Sequence, residues 1–89
     1  MSSKKSLREL REMMTEATEL VPLGSVWRHY KGGVYTVEHI AYDEVTSEFE
    51  VVYRPEEAAD VYFTRSLSVW LETVQWQGAA LPRFEHIAA

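Results

Sequence analysis

A chain of 89 residues with no cysteine, nine basic against fourteen acidic side chains and 46 per cent apolar residues is too short for more than one core and too hydrophobic for disorder. The absence of thiols excludes a disulfide framework and a thiolate zinc site, so packing or self-association has to hold the fold. A net charge of −5 opposes the counterion release that drives duplex nucleic-acid binding, and no apolar run approaches the ~20 residues of a membrane span. With no apolar core behind Lys4 and Lys5 to make a signal peptide, the expected location is cytoplasmic, with no membrane partner.

Leu7, Leu10, Met14, Ala17 and Val21 recur at intervals of three or four, which predicts an amphipathic helix. Ser6 with Glu9 is a capping-box pattern, and Pro22 with Gly24 ends the segment, giving a helical arm over residues 1–22. The apolar stripe of Leu7, Leu10, Met14 and Ala17 needs a partner surface, and a second subunit is one source, so a homo-oligomer, first of all a dimer, is expected.

From residue 23 to residue 89 the period changes to two, which predicts a β domain. "SVWRHY" and "VYTVEHIAY" read as strands divided by a hairpin turn at "KGG". "EFEVVYR" alternates most cleanly, with Phe49, Val51 and Tyr53 on one face and Glu48, Glu50 and Arg54 on the other. "PEEAAD" reads as a loop opening at Pro55, before "VYFT" resumes an extended pattern. The middle of "SLSVWLETV" fits one helical turn with Leu67, Trp70 and Leu71 inward; "ETVQW", a turn at Gly78 and "PRFEHI" then form a last hairpin. The fold class is mostly β with an N-terminal helix (α+β), built as a small barrel or a strongly bent antiparallel sheet of five or six strands.

"RHYKGGVYTV", "EFEVVYR", "LETV" and "LPRFEHI", in this order over about Ser25 to Ile87, resemble the small bacterial and phage family known as domain of unknown function 1653. Its members run H-Y/F-K-G-G-x-Y-x-V, then V-V-Y-R, a tryptophan-arginine-proline segment, and P-R-F. This chain departs in "VYFTRSLSVW", where Ser66 stands for the usual proline and Tyr62 or Phe63 for the tryptophan. The resemblance implies an SH3-like β unit and assigns no activity. The phage membership makes interference with a host nucleotide signal conceivable as an implication of the resemblance.

Catalysis finds little support in the residues. His29, His39 and His86 lack metal-ligand spacing, no serine sits in a nucleophile elbow, and the carboxylates gather in loops, so neither an enzyme nor a bound cofactor or metal is expected. The stretch "WRHYKGG" is the unusual feature. Strand alternation sends Val26, Arg28 and Tyr30 to one side and Trp27, His29 and Lys31 to the other, so the cluster lines one pocket only if a bulge or the turn re-aims it. One reading makes it core plus turn. The other makes Gly32 and Gly33 an anion nest, with Arg28, His29, Lys31 and Arg54 as charge donors and Tyr30, Tyr53 or Trp70 as stacking surfaces. Arg65 beside Trp70, and Arg83 beside Phe84, repeat the pairing of arginine with aromatic. A non-enzymatic protein that captures an anionic, nucleotide-like ligand is the leading expectation. The alternative is a peptide-binding SH3-like module with Trp70, Tyr62, Tyr35 and Trp76 along its groove.

Overall fold

The structure, a computed structural model, describes residues 4–89; residues 1–3 of the helical arm lie outside the described residues. Helix α1 spans Leu7–Leu20. Ser6 accepts a hydrogen bond from the Glu9 amide while the Glu9 carboxylate accepts one from the Ser6 amide, so the predicted capping box satisfies two of the first-turn donors. Ala17 and Val21 are buried and Met14 packs against the same cluster, whereas Leu7 near the free end of the stripe is 69 % exposed. The helix therefore shares the core of the β domain through its last turns and projects at its first.

The linker to the sheet is sealed by its own polar groups. Ser25, fully buried, donates to the Pro22 carbonyl and accepts from Trp27 Nε1 at 2.8 Å, while Gly24 and Ser25 exchange backbone hydrogen bonds with Val37. A buried hydroxyl with both roles filled fixes the angle at which α1 meets the sheet.

Seven strands follow: β1 Val26–His29, β2 Val34–Asp43, β3 Glu48–Pro55, β4 Phe63–Ser66, β5 Thr73–Trp76, β6 Ala79–Pro82 and β7 Phe84–Ala88, with the single helical turn α2, Leu67–Trp70, between β4 and β5. They form a five-stranded antiparallel sheet in the order β4-β3-β2-β1-β7 and a separate β5-β6 hairpin. This corrects the expected last hairpin. "ETVQW" pairs with Ala79–Pro82, and Phe84–Ala88 instead returns to β1, because the chain breaks at Arg83, whose backbone amide donates to the Glu72 carbonyl. A second correction concerns Pro55, which closes β3 opposite Tyr35 and does not open the loop.

Alternation along β3 holds as read from the sequence: Val51 and Tyr53 are buried and Phe49 packs on the core, while Glu48 is exposed on the other face. The core is aromatic at its centre. Trp70 lies parallel to Phe84 with centroids 3.7 Å apart and meets Trp27 and Tyr53 edge-on at 5.7 and 4.9 Å. Trp70 is buried as expected for α2, with Leu67 packed beside it, but Leu71 at the helix end is 45 % exposed.

Candidate functional site

Trp27 is buried, opposite Tyr35, and Arg28 on the other side of β1 is exposed and paired with Glu85 at 3.6 Å. Arg54, which register places opposite Thr36, lies on that same outer face and pairs with Glu38 at 2.7 Å. Both arginines named as charge donors are thus compensated on the outer face. Tyr53 and Trp70, 5 % and 1 % exposed, are enclosed by the core and present no open ring to a ligand.

The turn also uses its own amides. Gly32, at φ +111°, donates to the His29 carbonyl at 2.7 Å, and the Lys31 amide donates to His29 Nδ1 at 3.1 Å. Two donors that an anion nest would offer are committed within the hairpin. Gly33 is needed for a different reason: a Cβ there would lie 2.8 Å from the Tyr35 hydroxyl. Lys31 turns back, its ammonium 5.7 Å from the Tyr30 ring and 5.6 Å from that of Trp76. Arg28, His29, Tyr30, Leu81, Pro82 and Glu85 line an open cleft of about 230 Å³, small for a whole ligand and containing a carboxylate that already balances Arg28.

A different set converges on the inner face. Arg65 is paired across the strands with buried Val51 and so points inward. Its guanidinium carbon lies 5.2 Å from the centroid of the Phe84 ring, against which Trp70 is stacked, and its Nε donates to the Tyr53 hydroxyl at 3.4 Å. Its terminal nitrogens have no carboxylate partner among the described residues. His29 meets Phe84 edge-on at 5.0 Å. Arg83, next in sequence to Phe84, holds Glu72 at 3.0 Å through one terminal nitrogen, while its buried Nε has no partner. Phe84, absent from the predicted stacking set, is thus the centre of the cationic cluster; its sequence signal was the arginine before it.

His29 reports this local charge. Burial, reinforced by Arg65, Arg83 and Lys31, holds its imidazole below the ordinary histidine range, and acceptance of the Lys31 amide at Nδ1 leaves the neutral ring's proton on Nε2. The unfolded chain then binds more protons than the folded one as pH falls below about 6.5, so stability falls with pH there and levels off below the folded-state value. His29→Asn retains an acceptor but cannot titrate, and denaturant unfolding at a series of pH values is expected to show a shallower acid slope than the native chain. Equal slopes would remove the histidine from this role.

The departure at Ser66 has a local reason. Its hydroxyl accepts from the Val69 amide at 3.2 Å and caps the turn that delivers Trp70 to the core. Tyr62, exposed, and Tyr35 and Trp76, half-buried, do not join Trp70 in a continuous groove, since Trp70 is enclosed. Among the described residues no group of three His, Asp or Glu side chains is placed to hold a metal ion, and no helix is long and apolar enough to cross a membrane.

Comparison with known proteins places this geometry in context. A crystal structure of a DUF1653 protein from Bordetella bronchiseptica is 36% identical and superposes with a TM-score of 0.65, covering 73% of this chain and 86% of that chain. No curated protein matches. The profile described as Protein of unknown function (DUF1653) matches residues 25–86, a span that contains His29, Arg65, Trp70, Arg83 and Phe84 and excludes α1. By that match over most of its length, the chain belongs to the DUF1653 family.

Proposed function

We infer that this protein is a non-enzymatic receptor for an anionic, nucleotide-like small molecule, held at the inner-face cluster of Arg65, His29 and Phe84. The single observation that carries the reading is Arg65: 5.2 Å from the Phe84 ring centre and tethered at Nε by Tyr53, it has no carboxylate partner among the described residues of an acidic protein. A guanidinium held beside a ring and by one hydrogen bond has lost part of its side-chain freedom before a ligand arrives, so less is lost on binding an oxyanion. Tyr30 and Trp76, with rings 5.2 Å apart at the neighbouring hairpin, supply half-buried aromatic surface for a planar group. The sheet and hairpin read as an SH3-like unit, supported by short antiparallel strands, the helical turn after β4 and the return of the last strand to β1. Native mass spectrometry of the protein purified gently from cells is the direct test. A stoichiometric extra mass in the nucleotide range is expected, and a bare chain after purification at low salt would count against capture.

Self-association through α1 is the second part of the proposal. Of the predicted interface stripe, Ala17 and Met14 pack into the chain's own core and only Leu7 is largely exposed, at 69 %; Met13, Leu20 and the adjoining Leu23, 36, 56 and 54 % exposed, are the apolar residues left open at α1, outside the family-matched span. Apolar surface of this kind on a small domain is stabilised by a second copy. Light scattering is expected to give a mass of twice 10.3 kDa, falling to the monomer in Leu7→Glu with Leu20→Glu. A native chain that is already monomeric would rule the interface out.

A further inference from the structure

Two of the ion pairs among the described residues are hydrogen-bonded, Arg54 to Glu38 at 2.7 Å and Arg83 to Glu72 at 3.0 Å. The pair of Arg28 and Glu85 is not. The β1–β7 register sets these residues opposite each other, yet their charged atoms stand 3.6 Å apart, beyond hydrogen-bond range, with side chains 52 and 63 % exposed. The same two residues line the open cleft of about 230 Å³, together with His29, Tyr30, Leu81 and Pro82. Backbone ties its walls together: the Tyr30 amide donates to the Arg83 carbonyl at 3.0 Å, which joins the turn after β1 to the break between β6 and β7. His29, held below the ordinary histidine range, is neutral near pH 7, so the lining carries one positive and one negative charge.

We propose that this cleft is a second binding site, independent of anion capture at Arg65, and that it takes a free α-amino acid with an apolar side chain. The ligand carboxylate faces Arg28, its ammonium faces Glu85, and its side chain lies toward Tyr30, Leu81 and Pro82. Neither protein charge fills the other's hydrogen-bonding capacity, and an exposed pair of this kind contributes little stability, so a ligand separates it at small cost. A ligand with one charge satisfies one partner and meets a like charge on the other, whereas a dipolar ligand satisfies both. Because the two protein charges are adjacent, they match an ammonium and a carboxylate carried on one carbon; a chain with several methylenes between its charges has to bend and loses more freedom on binding. The volume, roughly eight waters' share of the liquid, is too small for a nucleotide and of the scale of leucine.

L-Leucine is the probe, beside analogues that each alter one property: 4-methylpentanoate lacks the ammonium, 3-methylbutylamine lacks the carboxylate, and 5-aminopentanoate separates the two charges. Titration of the full chain near neutral pH is followed by its amide resonances. Leucine is expected to shift those of Arg28, Tyr30, Leu81 and Glu85, and each analogue to bind at least about tenfold more weakly. Arg28→Gln and Glu85→Gln, at exposed positions and checked for folding by thermal melts, are each expected to weaken leucine binding by about tenfold, while Arg65→Ala leaves it within about twofold. Equal affinities for leucine and 4-methylpentanoate would overturn the dipolar ligand, and 5-aminopentanoate binding as tightly as leucine would overturn the α-amino acid. Leucine affinity that follows Arg65 and ignores both Gln variants would overturn the placement in this cleft. Cleft resonances unmoved at about 50 mM leucine would overturn the site altogether, and would leave anion capture at Arg65 to its own test with sulfate.

Discussion

Arg65→Ala is expected to weaken anion binding by about ten- to a hundredfold, the equivalent of the ~1.5–3 kcal/mol of a hydrogen bond to a charged group. Arg28→Ala and Arg54→Ala provide the contrast. Each of those arginines already faces a carboxylate on the outer face, Glu85 and Glu38, so its removal is expected to change affinity by less than about twofold. Arg65→Lys is expected to fall between, because an ammonium keeps the charge but loses the planar fork and the Nε that reaches Tyr53. Calorimetric titration of the native chain and the four variants with sulfate, alongside thermal melts to verify folding, measures the order directly. An affinity that tracks Arg28 or Arg54 in place of Arg65 would move the site to the outer face.

Trp70→Ala is expected to destabilise the fold by about 3–5 kcal/mol. The indole is stacked on Phe84 and makes T-shaped contacts with Trp27 and Tyr53, so its loss opens a void at the centre of the aromatic core. Against a total stability of ~5–15 kcal/mol, and toward the lower end for so short a chain, this removes most of the margin. Urea denaturation is expected to show a strongly reduced midpoint or a chain unfolded without denaturant. Trp70→Phe retains a ring against Phe84 and deletes the unpartnered Nε1, so its loss is expected to be clearly smaller. A Trp70→Ala protein within about 1 kcal/mol of the native chain would show that the aromatic stack does not organise the core.

Both predictions concern side chains in contact with the same ring, Phe84. Phe84 is stacked on Trp70 and lies 5.2 Å from the Arg65 guanidinium carbon, so the buried aromatic core supports a half-buried cation that has no carboxylate partner among the described residues. Rigidity in the core is therefore what positions the guanidinium, and a site placed on strands is held more tightly than one placed on loops. The β4 segment that carries Arg65 is also the segment in which this chain departs from its family pattern, and Ser66 preserves its geometry by capping α2.

Local chemistry was legible in the sequence wherever neighbours along the chain decide the outcome. Spacing and capping residues determined α1, since Ser6 and Glu9 satisfy each other across one turn. Alternation determined which residues of β3 share a face. Membership of the DUF1653 family was legible too, because it rests on the order of short motifs. Strand order was not. Whether Phe84–Ala88 pairs with β5 or returns to β1 depends on contacts between segments more than fifty residues apart, which no local pattern encodes. The same limit applied to the site. Alternation shows that Arg28 opposes Trp27 and Arg54 opposes Tyr53, but only the packed sheet places Glu85 and Glu38 against those arginines and sets Arg65, across from Val51, over Phe84 with its fork open. Charge along the chain is a property of sequence; whether a charge is already neutralised is a property of tertiary structure, because the partner comes from another strand.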